Sequence, residues 1–246
     1  MDFDAARHGA MIQKAFSENG VGGLLSFDKV KTFVALTERL LTESEKYNLT
    51  AIREPDKIAY LHYADCALAA KVLPKNARVI DIGCGAGFPT LPLAVLRPDL
   101  RLLAVDATEK KVRYVEETAR LLGLQNVTCR VMRAEDGGND PAEREQYDVA
   151  VARAVAELRV LSEITLPFVR VGGSVIALKG KNAAYEVSDA KRALAILGGQ
   201  IAEVDDTPLH STVLGEQGRA LIRIVKQKKT PAGYPRTWAQ ITKKPL

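Results

Sequence analysis

One segment of the sequence constrains the possible fold more than any other. Residues 79–82 form a short apolar run that leads directly into Gly83, Gly85 and Gly87, with a helical pattern after them. A strand, a glycine-rich turn and a helix in this order are typical of a doubly wound α/β sheet, in which ligands bind at the carboxyl ends of the strands. Glycine lets the backbone turn tightly, and a helix N-terminus offers free N–H donors. The segment therefore predicts a ligand site.

The rest of the chain continues the same alternation. Four more short apolar runs follow, at residues 102–105, 127–131, 149–152 and 175–178. Stretches with helical spacing separate them, near 89–96, 108–122, 157–169 and 183–197. Continuous apolar strands separated by helices indicate a parallel sheet that is covered on both faces. Two last strand candidates, 201–204 and 219–225, have no helix between them and predict an antiparallel hairpin.

Helical spacing also predicts the structure before the first strand, with helices over 4–19, 27–46 and from Pro55 to about Val72. We therefore expect a Rossmann-like α/β fold, with a mainly parallel seven-stranded sheet that ends in the hairpin and a helical extension in front. Three segments are expected: an N-terminal helical segment (1–73), an α/β core that binds the ligand (74–226) and a basic C-terminal tail (227–246).

Positive charge is concentrated at the C-terminal end. Residues 217–246 contain eight Lys and Arg residues and no Asp or Glu, although the whole chain has 35 basic and 30 acidic residues. The residues before them therefore carry a small net negative charge. Such asymmetry favours contact with a polyanion, and a tail that only increases solubility is the alternative. Arg236, Lys243 and Lys244 are the candidate phosphate contacts in the tail.

Composition excludes several other classes of protein. The chain is 47% hydrophobic and 26% charged, as ordinary globular proteins are. The three cysteines, Cys66, Cys84 and Cys129, are scattered, so neither a disulfide framework nor a metal site can be read from the sequence. The first residues are acidic, unlike those of a signal peptide, and no apolar run reaches the roughly 18 residues of a membrane span. We expect a cytoplasmic protein without membrane contact.

The spacing of the glycines separates the possible ligands. A dinucleotide-binding fingerprint requires its third glycine at position 88, where this chain has the bulky Phe88, so a nicotinamide-dependent oxidoreductase is disfavoured. The pattern G-x-G-x-G after a strand resembles the S-adenosylmethionine loop of class I methyltransferases. That cofactor has no pyrophosphate to bind, which fits the spacing. A turn that is only structural is the alternative.

Acidic residues after the next two strands fit the nucleoside part of this cofactor. Asp106 ends the second strand, where a carboxylate can accept hydrogen bonds from both ribose hydroxyls. Glu135 follows the third strand, where its side chain and the nearby backbone, including Ala134, can contact the adenine. An N-cap role in the next helix is the alternative for Asp106, and an ordinary surface position is the alternative for Glu135.

The sequence also limits the methyl acceptor. Enzymes that methylate exocyclic amines usually carry Asn/Asp-Pro-Pro-Tyr/Phe after the fourth strand, where this chain has Ala-Arg-Ala-Val at 152–155. No cysteine follows a proline, as the nucleophile of pyrimidine C5 methyltransferases commonly does. What remains is an acceptor that is already nucleophilic, such as guanine N7, which needs no general base. Positioning then supplies most of the catalysis.

Three basic residues are expected at the rim of the site. Arg153 ends the fourth strand and can bind a carboxylate or phosphate in bidentate fashion, which makes it the candidate catalytic residue. An ion pair with the acidic residue four positions later is the alternative. Lys179 and Lys181 end the fifth strand and are either phosphate contacts or solvated loop lysines. His62 and Asp65 share one helix face and are interpreted as a helix contact without a catalytic role.

Together these residues closely resemble the ribosomal RNA small subunit methyltransferase G family, also called glucose-inhibited division protein B. The matching motifs run in the family's order, at 48–52, 62–65, 81–89, 133–135, 153–156, 179–180, 234–236 and 244–246. The resemblance implies transfer of a methyl group from S-adenosylmethionine to N7 of one guanine in 16S ribosomal RNA, near the decoding site. It also implies cofactor-binding roles for Gly83, Phe88, Ala134, Glu135 and Arg153, which join Gly85, Gly87 and Asp106 as cofactor candidates.

The sequence departs from the family pattern in two places. Thr90 stands where the family commonly has glycine, and residues 237–241 replace a run that more usually contains glycine. The alternative functions are methylation of another RNA or of a small molecule, and a non-catalytic RNA-binding module with a vestigial cofactor loop. The expected partner is 16S ribosomal RNA or a small-subunit particle, and the protein is expected to be a monomer.

Overall fold

All strands belong to one seven-stranded sheet. They are β1 (Arg78–Ile82), β2 (Arg101–Asp106), β3 (Val127–Val131), β4 (Tyr147–Arg153), β5 (Val169–Gly180), β6 (Gly199–Asp205) and β7 (Arg219–Lys226). In the computed structural model, which describes residues 3–46 and 48–246, their order is β3-β2-β1-β4-β5-β7-β6. The first five strands are parallel, and β7 runs antiparallel to both β5 and β6. This confirms the predicted fold class, including the closing hairpin.

Helices cover both faces of this sheet. Within residues 3–46 and 48–246, four α-helices precede it: α1 (Ala5–Glu18), α2 (Phe27–Lys46), α3 (Pro55–Lys57) and α4 (Asp65–Val72). Seven follow β1: α5 (Thr90–Leu96), α6 (Glu109–Leu121), α7 (Ala134–Gly137), α8 (Leu158–Thr165), α9 (Ala183–Asp189), α10 (Lys191–Leu197) and α11 (Trp238–Lys243). In the part of the chain described, no helix is both long enough and apolar enough to cross a bilayer.

The side chains of β1 alternate between two apolar cores. Val79 packs in the core that contains residues of α1, α2, α4, α5 and α6, whereas Ile80 and Ile82 pack in the core that contains residues of α8, α10 and α11. Both faces of the strand are therefore buried. A strand buried on both faces has no solvated side that would select polar residues. This is why apolar residues occupy both faces of the strand, and its one carboxyl group, that of Asp81, is buried as well.

The strand order reverses beside β1, and this reversal positions the site. β1 pairs in parallel with β2 on one side and with β4 on the other. The connections that leave the ends of β1 and β4 therefore diverge, and a crevice opens between them at the carboxyl edge of the sheet. Gly83 follows β1 and Ala154 follows β4, and both residues line this crevice.

The segment between α3 and α4 is a π-helical turn, Ile58–Ala64. The predicted helix from Pro55 to Val72 is therefore continuous but not uniformly α-helical. Tyr63 in this turn is fully buried, and its hydroxyl lies 2.8 Å from the hydroxyl oxygen of Thr37 on α2. Such turns frequently occur at functional sites. Here the turn carries His62, which lines the crevice.

Strand β5 is much longer than the predicted run at 175–178. Its first half, which contains Gly172 and Gly173, lacks the apolar pattern that marks a buried strand. A Cβ atom at Gly173 would lie 2.5 Å from the carbonyl oxygen of Asp148, at the irregular register between β4 and β5. Glycine therefore allows the two strands to approach here, and the strand begins before its predicted apolar run.

The C-terminal residues after β7 pack against the core. The guanidinium of Arg144 donates hydrogen bonds to the carbonyl oxygens of Tyr234 (2.8 Å) and Thr230 (2.7 Å). Ile241 of α11 is fully buried in the core that contains α8. The basic segment is thus held to the α/β core by backbone hydrogen bonds and by an apolar anchor.

Candidate active site

The glycine loop adopts a backbone that other residues adopt only with strain. Gly83, Gly85 and Gly87 have φ angles of 75°, 54° and 86°. A Cβ atom at Gly83 would lie 2.8 Å from a methyl group of Val155, and one at Gly87 would lie 2.5 Å from a methyl group of Leu91. The conformation and the close contacts both require glycine at these two positions. The backbone of the loop therefore lies close to the side chains that pack against it.

Asp106 holds this loop from the end of β2. Its Oδ2 accepts a hydrogen bond from the backbone N–H of Gly85 at 3.1 Å, and its Oδ1 accepts one from Thr108 at 2.9 Å. Lys111 lies 3.9 Å away. A carboxylate has about four acceptor positions, so this side chain keeps capacity for ribose hydroxyls. The alternative, an N-cap role for Asp106, is wrong, because Thr108 is the N-cap residue of α6 and Asp106 accepts a hydrogen bond from its backbone N–H.

Beneath the loop, Asp81 and Thr90 join its two ends. Asp81 is fully buried, and its Oδ2 accepts hydrogen bonds from the hydroxyl (2.5 Å) and the backbone N–H (3.2 Å) of Thr90. Its other carboxyl oxygen has no hydrogen-bond partner among the described residues. Burial raises the pKa of Asp81 to about 7, although the hydrogen bonds from Thr90 act in the opposite direction. The threonine that departs from the family pattern thus stabilises a buried carboxyl group.

Arg153 reaches across the crevice to the π-helical turn. Its guanidinium donates a hydrogen bond to the carbonyl oxygen of Leu61 at 2.9 Å and another to Nδ1 of His62, and it lies 3.4 Å from Asp65. The alternative pair with Glu157 is not formed, because Glu157 pairs with Arg159 instead. Arg153 lines the crevice, but its charge is largely directed at the N-terminal helical segment.

His62 is a neutral part of this cluster. An arginine can only donate, so Nδ1 of His62 accepts from Arg153, and its Nε2 carries the hydrogen and donates to the hydroxyl of Thr50 at 3.2 Å. Burial and the charge of Arg153 lower the pKa of His62 to about 3. Its ring stacks on Phe88, with ring centroids 4.2 Å apart. Sequence reasoning interpreted His62 and Asp65 as a helix contact and missed that His62 lines the site, whereas Asp65 pairs with Arg153.

The crevice has two adjacent lobes that share part of their lining. The first, of about 410 Å³, is lined by the loop, Phe88, His62 and Arg153. The second, of about 240 Å³, lies between the ends of β2 and β3 and is lined by Ala134, Glu135 and Trp238 among others. Gly83, Asp106 and Val155 line both lobes. A nucleoside that carries an amino-acid chain can therefore lie across both lobes, with its ribose beside Asp106.

The predicted cofactor residues gather at this crevice. Gly83, Gly85, Phe88, Asp106 and Arg153 line the first lobe, and Ala134 and Glu135 line the second. Gly87 lines neither lobe and shapes the turn. Trp238 is a wall residue that sequence reasoning did not single out. The only sequence feature that pointed to it was its position in the run 237–241, which departs from the family pattern.

The predicted RNA-binding residues divide into two groups. Lys181, Lys243 and Lys244 are exposed. The ammonium of Lys179 instead donates a hydrogen bond to the carbonyl oxygen of Ala156 at 2.7 Å and pairs with Glu186 at 2.6 Å, and its side chain is only 9% exposed.

Arg236 belongs to the same engaged group as Lys179, because its guanidinium holds the carboxylate of the fully buried Glu163. The structure therefore gives Lys179 and Arg236 a structural role, because the carboxylates of Glu186 and Glu163 already neutralise their charge.

This fold and this site define a class I methyltransferase that uses S-adenosylmethionine. Solved structures agree on the fold: an S-adenosylmethionine-dependent O-methyltransferase from Thermotoga maritima has a TM-score of 0.54 at 18% identity, covering 78% of this chain and 72% of that one. A ribosomal protein L11 methylase from Lactobacillus delbrueckii subsp. bulgaricus has a TM-score of 0.51 at 20% identity, covering 67% and 78%. At these identities the likeness shows the fold alone.

Sequence comparison identifies the family. The model of the rRNA small subunit methyltransferase G family matches residues 29–210. A protein of that name from Clostridium perfringens is 40% identical over 230 residues, covering 93% of this chain and 95% of the relative. Another from Deinococcus radiodurans is 44% identical over 216 residues, covering 87% and 84%. The chain therefore belongs to the rRNA small subunit methyltransferase G family.

Proposed function

We propose that this protein transfers the methyl group of S-adenosylmethionine to N7 of one guanine in 16S ribosomal RNA, near the decoding site, by in-line displacement without a general base. Family membership supports an RNA of the small ribosomal subunit as the substrate. The choice of guanine N7 as the acceptor rests on one observation: the titratable groups that line the first lobe are poorly suited to remove a proton.

Each of those groups is occupied or unsuited to remove a proton. Among the described residues that line the first lobe, the titratable ones are His62, Cys84, Asp106, Lys111 and Arg153. His62 uses both ring nitrogens in hydrogen bonds, and Asp106 holds the loop. Burial raises the pKa of the Cys84 thiol, so it stays protonated. An acceptor with a free lone pair, such as guanine N7, requires no base, which matches this lobe.

The chain's own residues supply binding and orientation. When bound, S-adenosylmethionine supplies a methyl group activated by a sulfonium. The backbone at Gly83 and Gly85 would border the amino-acid part of the cofactor, Asp106 would accept hydrogen bonds from its ribose, and Glu135 with the backbone of Ala134 would face its adenine. Arg153 acts as a positioning residue, because it fixes the helical segment that closes the first lobe. Fixed positioning is the main catalytic contribution available to such a displacement.

The RNA side of the proposal uses the exposed lysines. Lys181, Lys243 and Lys244 are exposed cations that can contact phosphates. We further propose that the protein acts as a cytoplasmic monomer on 16S ribosomal RNA or a small-subunit particle, and that residues 1–73, 74–226 and 227–246 are its three functional segments. Light scattering of the purified protein tests the monomer.

The reaction is tested on RNA from cells that lack the gene. Small subunits and naked 16S ribosomal RNA from these cells are incubated with the protein and methyl-labelled cofactor, and the labelled nucleoside is identified after digestion. We expect N7-methylguanosine at one position in at least one of the two substrates, and slower labelling by Asp106→Ala. Label on an exocyclic amine or a pyrimidine carbon would contradict the proposed chemistry, and no label in either substrate would contradict the proposed function.

A further inference from the structure

The second lobe is closed by a residue from the far end of the chain. Trp238, the first residue of α11, lines this lobe opposite residues from the ends of β2 and β3. It is the only tryptophan in the sequence, and 39% of it is exposed. A large aromatic side chain that stays partly exposed beside a cavity has apolar surface that a ligand can cover.

Two anchors fix Trp238 at this position. Just before it, Arg236 forms a bidentate ion pair with Glu163 of α8, with a closest distance of 2.6 Å, and Glu163 is fully buried. Three residues after it, Ile241 is fully buried in the core. Between them, Thr237 and Gln240 form a reciprocal cap that starts the helix. The indole is therefore held on the lobe by contacts on both sides.

The walls of the lobe match a flat, largely apolar ring. Ile82, Val155, Ile164 and Met132 supply apolar contacts, and Glu135 supplies a carboxylate at the edge. The volume of about 240 Å³ is small and suits one base. The side chain of Glu135 is 12% exposed and lies 3.6 Å from Arg133, so it can still accept from an exocyclic amine.

We propose that Trp238 forms a wall of the adenine subsite and packs against the purine ring of bound S-adenosylmethionine. This inference rests on the proposed function and adds to it a binding residue from the C-terminal segment. It also gives a role to the run at 237–241, which departs from the family pattern. The basic segment then serves the cofactor as well as the RNA, because α11 carries both the indole and Lys243.

Calorimetric titration with S-adenosylhomocysteine tests the contact directly. Contact between a base and an aromatic ring strengthens binding by about five-fold to about 150-fold, so Trp238→Ala should bind at least about five-fold more weakly than the wild type. Trp238→Phe keeps a flat ring and should recover most of the affinity. Phe27→Ala is the matched control, because Phe27 is an exposed aromatic residue (71%) that lines neither lobe.

The outcomes separate this inference from the proposed function. Equal affinity of the wild type and Trp238→Ala would overturn the inference and leave the function standing, whereas no binding by the wild type would overturn both. Fluorescence supplies a second measurement in the unmodified protein, because Trp238 is the sole tryptophan. Its emission should change in proportion to the binding measured by calorimetry. Unchanged emission at saturating ligand would also overturn the contact.

Discussion

The two lobes of the crevice are built in different ways. The first is enclosed by a polar cluster in which Arg153, His62 and Thr50 are joined by hydrogen bonds, and the π-helical turn brings it to the loop. The second is lined mainly by apolar side chains, together with the carboxylates of Asp106 and Glu135 and a tryptophan from the C-terminal segment. The first lobe suits the charged amino-acid end of the cofactor, and the second suits a flat base.

Because of this difference, mutations in the two lobes should affect folding and ligand binding to different degrees. Groups in and under the first lobe are buried and bonded to one another, so their removal leaves unpaired polar atoms and affects folding as well as binding. Trp238 is partly exposed, so its removal costs little folding energy and reports on binding. Arg236, which positions it, pairs with a fully buried carboxylate, so its removal should affect folding as well. Four predictions follow this distinction from the largest expected effect to the smallest.

The largest effect is expected for Asp81, under the first lobe. Its pKa of about 7 in the folded protein lies above its ordinary value of 3.8, so the folded state binds the proton more tightly. The stability that this group contributes is therefore present below about pH 4 and is lost as the pH rises to about 7. Over this range, the unfolding free energy of the wild type should fall by up to ~4 kcal/mol relative to Asp81→Asn.

Urea unfolding of both proteins between pH 4 and pH 8 measures this difference. Groups that titrate in both proteins cancel in the comparison. Thr90→Ser serves as the control, because it keeps the hydroxyl that donates to Asp81. Parallel pH profiles for the wild type and Asp81→Asn would show that Asp81 titrates normally.

The second prediction concerns the anchor of the second lobe. Arg236→Ala leaves the fully buried Glu163 without its charge partner, so we expect a loss of about 3 kcal/mol in unfolding free energy. Lys243→Ala, an exposed change in the same segment, should lie within about 0.5 kcal/mol of the wild type. Adding Glu163→Gln to Arg236→Ala should recover part of the loss. Equal stability of the two single variants would mean that the ion pair does not hold the segment.

The third prediction tests the residue that both lobes share. Asp106→Ala removes the carboxylate that holds Gly85 and that we expect to bind the ribose. Loss of hydrogen bonds to a charged group should weaken S-adenosylhomocysteine binding by about 1.5–3 kcal/mol in a calorimetric titration. Asp106→Asn keeps one acceptor oxygen, so its affinity for S-adenosylhomocysteine should lie between those of the wild type and Asp106→Ala. Unaltered affinity of Asp106→Ala would remove this residue from the cofactor site.

The smallest effect is expected at the exposed lysines of the C-terminal segment. For single-stranded RNA, the logarithm of affinity falls with the logarithm of salt by about 0.7 per phosphate contact. Replacing Lys243 and Lys244 with alanine should therefore flatten this slope by about 1.4, while binding of S-adenosylhomocysteine stays the same. Arg236 is left intact here because it anchors α11. An unchanged slope would mean that these lysines do not contact the RNA and only increase solubility.

The sequence alone determined the sheet, the loop and the acidic residue after β2. Continuous apolar runs separated by helical spacing predict buried parallel strands, because burial on both faces removes the polar alternation. Three alternate glycines predict the ligand loop, because the positive φ angles and the close contacts at Gly83 and Gly87 exclude other residues. Asp106 could be placed because strand ends in a parallel sheet share one edge. These are local features that follow from spacing along the chain.

Only the tertiary structure decided the partners of the charged and aromatic residues. Sequence spacing shows which face of an element is buried but not what covers it. Arg153 therefore pairs with a helix about 90 residues earlier, Lys179 with Glu186, and Arg236 with Glu163. The indole of Trp238 reaches the second lobe for the same reason: its place depends on α8, an element remote in the sequence, against which the C-terminal segment packs.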